Sequence, residues 1–141
     1  MAVAATAGYS GKPLWQKLGL TAGQRLFVAD PQEHLPQLLA GAPEGITRLA
    51  RLAEFDIALL FVTSRVGLAA ALTGALPKLA AGGMIWIAWP KKASGVATDV
   101  TEDTVRDVAL PMGIVDVKVC AIDATWSGLK LLRRRATGGS K

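Results

Sequence analysis

The sequence has few of the residues from which metal sites and disulfides are built. It contains one cysteine and one histidine among 141 residues. A single cysteine excludes an internal disulfide and provides no cysteine cluster for a metal, which is typical of a reducing compartment. We therefore expect a cytoplasmic protein without a metal site, and we interpret Cys120 as a buried structural thiol. The histidine, His34, lies between Pro31 and Pro36 and is interpreted as a solvated residue at a helix start.

Charged residues are also scarce, at 19% of the chain, although the formal net charge is +5. The excess of positive charge favours anionic partners, but so low a charged fraction is unusual in a protein that coats nucleic acid. Nucleic acid is therefore a less favoured partner that the sequence does not exclude. The run Arg133, Arg134 and Arg135 is interpreted as the solvated end of the last strand.

The sequence has no recognisable signal peptide, because its first residues lack a basic segment followed by a long apolar run. Residues 66–89 carry a single charge and are apolar enough to resemble a membrane span. However, Pro77, Lys78 and the pair Gly82-Gly83 divide this stretch into a helix, a turn and a strand. We expect no membrane segment.

Apolar residues are abundant, at 51%, and they alternate between helical and strand patterns. We expect a single domain over residues 1–141, with flexible ends at 1–8 and 136–141. Buried strands are predicted near 25–29, 56–62, 84–89 and 115–122, with an antiparallel partner near 128–134 and a weaker candidate at 46–50. Helices are predicted over 13–18, after Ser64 as far as the Gly82-Gly83 pair, and over about 102–112.

One turn has the pattern of a helix capping box. In the segment DPQE, Asp30 would be the N-cap, Pro31 the first helical residue and Glu33 the third. The pattern predicts a helix that begins directly after the first strand.

Alternating strands and helices predict a three-layer, Rossmann-like α/β fold, with a mainly parallel sheet and a C-terminal antiparallel hairpin strand. The strand FDIALLF, the following helix and AAGGMIWIAWP resemble the later half of class I methyltransferases, in a truncated form. In that fold the turn after the first strand usually carries glycines that let the backbone approach S-adenosylmethionine. Here the turn is VADPQEHL, which has no glycine, and Pro31 removes a backbone donor. We therefore predict no cofactor.

Four longer segments resemble the bacterial domain of unknown function 3052 family. They are YSGKPLWQKLG (9–19), DIALLFVTSR (56–65), GGMIWIAWPKKASGVATDVTED (82–103) and VDVKVCAIDATWSGLKLLRR (115–134). The resemblance implies one compact domain, and it implies no mechanism.

A ligand site is expected where the parallel strands end, because ligands of such sheets bind beyond the carboxyl ends of the strands. The loops at that edge would bring together four cations, several hydroxyl groups and two indoles, and the helix start after Ser64 would add backbone N–H donors. The candidate ligand-binding residues are Tyr9, Ser10, Lys12, Thr63, Ser64, Arg65, Trp89, Lys91, Lys92, Ser94 and Trp126.

This set predicts a site for an anionic small molecule that bears phosphate or carboxylate. The favoured function is a non-catalytic binding module, although the sequence does not decide whether a reaction is catalysed. A divergent S-adenosylmethionine-dependent methyltransferase is the first alternative, and a nucleic-acid or protein interaction module is the second. A plainer interpretation also holds: the lysines are the solvated exit of a buried strand, Ser64 only caps its helix, and the tryptophans only pack.

Overall fold

The computed structural model of the protein describes residues 12–33 and 35–134. One sheet contains six strands: β1 (Arg25–Ala29), β2 (Thr47–Arg48), β3 (Phe55–Phe61), β4 (Leu79–Pro90), β5 (Ile114–Ala121) and β6 (Trp126–Arg133). The described chain also contains α1 (Leu14–Leu18), α2 (Leu35–Leu38), α3 (Arg65–Ala75) and α4 (Glu102–Ala109). The predictions for Tyr9, Ser10, His34, Arg135 and the flexible ends at 1–8 and 136–141 lie outside the described residues.

The sheet has the order β2-β1-β3-β4-β6-β5. Strands β1 to β4 pair in parallel, and β6 lies antiparallel between β4 and β5. The predicted fold class, a mainly parallel Rossmann-like sheet with a C-terminal antiparallel hairpin, is confirmed. The chain moves from β1 outward to β2 and then returns to the other side of β1 to form β3. The order of the strands therefore reverses between β1 and β3.

Two apolar clusters cover the two faces of the sheet. On the first face, Leu68 and Leu72 of α3 and Val105 of α4 pack against β3, β4 and β6. On the second face, α1 and α2 pack against β1, β3 and β4, through Leu18 and Leu35 among other residues. Strands β3 and β4 are buried on both faces, which explains their nearly continuous apolar sequences. Within the residues that the structure describes, no helix is both long and apolar enough to span a membrane.

The predicted capping box is wrong. Asp30 has a φ of 52°, in the left-handed region, whereas an N-cap residue has an extended backbone. Residues 30–33 form a turn instead, in which the side-chain amide of Gln32 donates to the carbonyl of Asp30. Helix α2 is described only from Leu35. Aspartate tolerates the left-handed region better than most residues, so the turn can form without glycine.

Arg133 and Arg134 are exposed, as expected for a solvated strand end, but both also contact the segments that follow two helices. The guanidinium group of Arg133 donates to the carbonyls of Leu76 and Leu79, at 3.1 and 3.2 Å, just beyond α3. Arg134 donates to the carbonyl of Leu110, which follows α4. Both arginines therefore satisfy carbonyls that helix ends leave without intrahelical partners. Sequence pattern did not reveal these contacts because the partners are 24 residues or more away.

Candidate functional site

The carboxyl ends of the parallel strands form one edge of the sheet, as the sequence predicted. Asp30 follows β1, Thr63 lies just beyond β3, and Lys91 follows β4. The backbone N–H of Lys91 donates to the carbonyl of Thr125 at 2.7 Å, which joins the exit of β4 to the turn between β5 and β6. These residues are therefore positioned by the ends of the strands that they follow.

A cavity of about 310 Å³ lies at this edge, between the ends of β1 and β3. We call it the switch-point cavity, because the strand order reverses there. Its polar and apolar walls come from two strand ends, the start of α3 and the start of β6. The lining residues are Ala29, Asp30, Gln32, Phe61, Val62, Thr63, Ser64, Gly67, Ala71 and Trp126.

The polar wall of the switch-point cavity contains one carboxylate and no cationic side chain. Asp30 is exposed and contributes a carboxylate, and its left-handed backbone sets the direction of the turn. Pro31 has no N–H to offer at this turn. Thr63 adds a hydroxyl group, and the lining contains no lysine or arginine. This wall suits a ligand that donates hydrogen bonds.

The apolar wall contains two aromatic side chains, of which Trp126 is held in place by a buried carboxylate. The rings of Phe61 and Trp126 meet edge to face, with centroids 5.1 Å apart and an angle of 86° between their planes. Oδ1 of Asp123 accepts hydrogen bonds from the backbone N–H groups of Thr125 and Trp126, at 2.8 and 2.7 Å. The start of β6 is thereby fixed beside the cavity.

The N-terminus of α3 already binds a carboxylate of the chain itself. Ser64 is the N-cap, as predicted, and its Oγ accepts from the N–H of Gly67. Oδ1 of Asp99 accepts from the N–H of Arg65 at 2.6 Å. The donors that we expected to attract an external anion are therefore partly used by Asp99, which the sequence analysis did not identify.

A second cavity, of about 250 Å³, lies at the exit of β4 on the first face. Its lining includes one cationic residue, Lys92, one acidic residue, Asp99, and Trp89. The lining residues are Trp89, Pro90, Lys92, Thr98, Asp99, Val100 and Thr101. We call it the β4-exit cavity.

The two cavities are separated by the segment that follows the β4 exit. The hydroxyl of Thr98 and the N–H of Asp99 both donate to the carbonyl of Thr63, at 2.8 and 3.3 Å. Trp89 belongs to the apolar cluster of the first face, whereas Trp126 belongs to that of the second. The two indoles therefore lie in different apolar clusters, on opposite faces of the sheet.

The remaining predicted residues are distributed around this edge. The guanidinium group of Arg65 lies 3.9 Å from a carboxylate oxygen of Asp107 on α4. The hydroxyl of Ser94 donates to the carbonyl of Lys91 at 2.6 Å and so shapes the turn after β4. Lys12 is exposed and precedes α1, which packs on the second face of the sheet. Arg65 begins α3, which packs on the first face. In the described ranges, no three His, Cys, Asp or Glu side chains are grouped closely enough to hold a metal.

Comparison with known proteins gives a family and a fold. A family model described as "Protein of unknown function (DUF3052)" matches residues 53–135. No curated protein resembles the chain significantly in sequence.

Solved structures of similar fold are Rossmann-type proteins and methyltransferases. A protein of the NADB-Rossmann superfamily from Streptococcus agalactiae matches 92% of this chain and 71% of its own, with 12% identity and a TM-score of 0.58. The tRNA methyltransferase TrmK of B. subtilis matches 88% of this chain and 66% of its own, with 10% identity and a TM-score of 0.58. Aeropyrum pernix fibrillarin, solved with natively bound S-adenosyl-L-methionine, matches 90% of this chain and 71% of its own, with 12% identity and a TM-score of 0.53. These similarities establish the fold as methyltransferase-like.

Proposed function

Because this chain belongs to the DUF3052 family, for which no function is known, we propose its function from the site itself. The domain is a non-catalytic module that binds a small molecule in the switch-point cavity. The ligand is uncharged or cationic, donates hydrogen bonds through hydroxyl or ammonium groups, and has a compact apolar part.

The position of the cavity is the observation that carries this proposal. In open α/β sheets, ligands bind beyond the carboxyl ends of the strands at the point where the strand order reverses, which in this chain lies between β1 and β3. A volume of about 310 Å³ is at the lower end of the range for small-molecule pockets. The cavity is therefore large enough for a compact ligand.

The lining supports the choice of ligand class. Asp30 contributes a carboxylate and Thr63 a hydroxyl group, while Phe61 and Trp126 contribute apolar surface. A ligand hydroxyl that donates to a carboxylate gains a charge-assisted hydrogen bond, which is stronger than a neutral one. A phosphate in the same place would face Asp30 without a cation of the lining to offset the repulsion.

An anionic ligand, which the sequence analysis predicted, has a separate candidate place in the β4-exit cavity. Lys92 lines that cavity beside the indole of Trp89, and Lys91 directly precedes it. Asp99 also lines the cavity, so a ligand that carries both a carboxylate and an ammonium group suits it better than a phosphate. This second function stays a prediction.

The turn after β1 lacks the features by which a glycine-rich turn binds S-adenosylmethionine. Pro31 lacks an N–H, and the carbonyl of Asp30 already accepts the amide of Gln32 at 3.0 Å. The turn therefore lacks one backbone donor and carries the Asp30 carboxylate, whereas the carboxylate of the cofactor needs donors. For this reason we derive no methyl transfer for the domain.

We expect isothermal titration of the protein with S-adenosylmethionine to give no binding in the low-micromolar range. The physical reason is the missing N–H of Pro31 and the presence of the Asp30 carboxylate at the turn. The same titration with fibrillarin of similar fold serves as the positive control. Low-micromolar binding, together with methyl transfer to any acceptor, would establish the methyltransferase alternative.

The proposed site can be mapped with adenosine, which has a planar ring, adjacent hydroxyl groups and no charge. On titration with adenosine, the backbone NMR signals of residues 29–32 and 61–67 and of Trp126 are expected to shift. The double variant Lys91→Ala, Lys92→Ala is the control, and its adenosine response should match that of the wild type. Shifts confined to residues 89–101, or lost in the control variant, would place the ligand in the β4-exit cavity and contradict the proposal.

A further inference from the structure

The β4-exit cavity combines apolar surface with one charge of each sign. The apolar part of its lining comes from three buried residues, Trp89, Pro90 and Val100. Lys92 and Asp99 are exposed and contribute an ammonium group and a carboxylate. The charges of the lining therefore cancel in sum, and both remain in contact with solvent.

The two charged groups of this lining do not neutralise each other directly. The ion pairs among the residues that the structure describes include neither Lys92 nor Asp99. Oδ1 of Asp99 accepts the backbone N–H of Arg65, and a carboxylate has further lone pairs with which it can accept hydrogen bonds. A ligand in the cavity can therefore meet both charges without breaking a salt bridge.

The hydroxyl groups of the lining are already used within the chain. The hydroxyl of Thr98 donates to the carbonyl of Thr63 at 2.8 Å. Thr101 is the N-cap of α4, and its hydroxyl belongs to the capping box there. Lys92 and Asp99 are therefore the side chains of this lining that are best able to recognise a polar ligand.

The position of Asp99 is set before any ligand arrives. Its backbone N–H donates to the carbonyl of Thr63 at 3.3 Å, and its carboxylate is held at the start of α3 by the N–H of Arg65. A group that is already ordered loses little conformational freedom on binding, so less of the interaction free energy is spent. The carboxylate is therefore a fixed point for a cationic group of the ligand.

We infer that the β4-exit cavity binds a free α-amino acid with an apolar side chain. The ligand's carboxylate pairs with Lys92, its ammonium group with Asp99, and its side chain lies against Trp89 and Val100. A volume of about 250 Å³ is just below the usual range for drug-sized ligands and suits a molecule this small. The inference rests on the second function proposed above, to which it gives a ligand class, and it is independent of the switch-point cavity.

An NMR titration of the protein with L-leucine tests this inference. The backbone signals of residues 89–101 are expected to shift. Isoamylamine is leucine without its carboxylate, and isocaproate is leucine without its ammonium group. Each should bind about fivefold more weakly than leucine, which is the upper end for an ion pair that stays partly exposed.

Two variants should separate the two charged contacts. Lys92→Gln is expected to weaken leucine and isocaproate about fivefold and to leave isoamylamine no weaker. Asp99→Asn should weaken leucine and isoamylamine by a similar factor and leave isocaproate no weaker. The side-chain oxygen of asparagine can still accept the N–H of Arg65, so the start of α3 should persist. A merely structural role of either residue would not produce this crossed pattern.

Lys78→Gln is the matched control. It removes the same charge from an exposed lysine that precedes β4, at the opposite edge of the sheet, and should bind leucine like the wild type. Equal weakening in this control, or tighter binding of inorganic phosphate than of leucine, would overturn the inference. Leucine shifts that are absent, or confined to residues 29–32 and 61–67, would overturn it as well. The adenosine titration reports on the switch-point cavity separately, so the two proposals can fail independently.

Discussion

The variant Gly83→Ala is expected to lose about 2–3 kcal/mol of folding free energy, the cost typical of overpacking in a well-packed region. A Cβ atom at residue 83 would lie 2.6 Å from the carbonyl oxygen of Asp56 and 2.9 Å from Cδ1 of Leu79. The first of these is a backbone atom and cannot move without shifting β3 against β4. The pairing is already irregular there, because Phe55 pairs with Leu79 but Ile57 pairs with Met84.

Urea denaturation of the variant and of a matched control measures this effect. Gly74→Ala is the control, because Gly74 lies exposed in α3 and the nearest atom to an added Cβ is Leu52 Cδ2 at 4.0 Å. Alanine in a helix is favoured over glycine by about 0.5–1 kcal/mol, so the control should be slightly more stable than the wild type. If Gly83→Ala is as stable as the wild type, the described register of β3 and β4 is wrong.

The variant Asp30→Asn is expected to bind adenosine about tenfold more weakly than the wild type does. A hydrogen bond to a charged group contributes about 1.5–3 kcal/mol and a neutral one about 0.5–1.5 kcal/mol, and the difference between the midpoints, about 1.3 kcal/mol, corresponds to a factor close to ten. Asparagine also tolerates the left-handed backbone of residue 30, so the turn should persist. The substitution therefore removes the charge and keeps the shape.

The same variant should change the preference between adenosine and its monophosphate, AMP. The wild type is expected to bind AMP about tenfold more weakly than adenosine, because the phosphate would meet Asp30 in a lining without cations. In Asp30→Asn the two affinities should agree within about twofold. Glu44→Gln is the control, since it removes one negative charge beside β2, at the opposite edge of the sheet. A preference for AMP in the wild type would contradict the proposed ligand class.

Most of the fold could be predicted from the sequence because its signals are local. The apolar runs 25–29 and 55–62, the helix stripe after Ser64 and the turn before β6 each specify one element within a few residues. The capping box predicted at Asp30 is wrong because the sequence pattern of a capping box does not decide the backbone conformation of its first residue. The extra length of β4 was missed because it depends on pairing with β3 across the bulge at Asp56.

The candidate site was predicted less well, because the contacts that shape it are distant in sequence. The edge of the sheet and the residues Thr63, Ser64 and Trp126 were identified, since strand order places them there. The hydrogen bond from the N–H of Arg65 to Asp99 joins residues that are 34 positions apart, and no local sequence pattern reveals it. The separation of Trp89 from Trp126 depends on which face each side chain takes in the sheet.

A crystal structure of the protein grown with adenosine tests the central claim most directly. We predict density for the nucleoside in the switch-point cavity, with a ribose hydroxyl within hydrogen-bond distance of the Asp30 carboxylate and an apolar contact to Phe61 or Trp126. A nucleoside bound only in the β4-exit cavity, or a phosphate-bearing molecule from the expression host bound against Asp30, would contradict it.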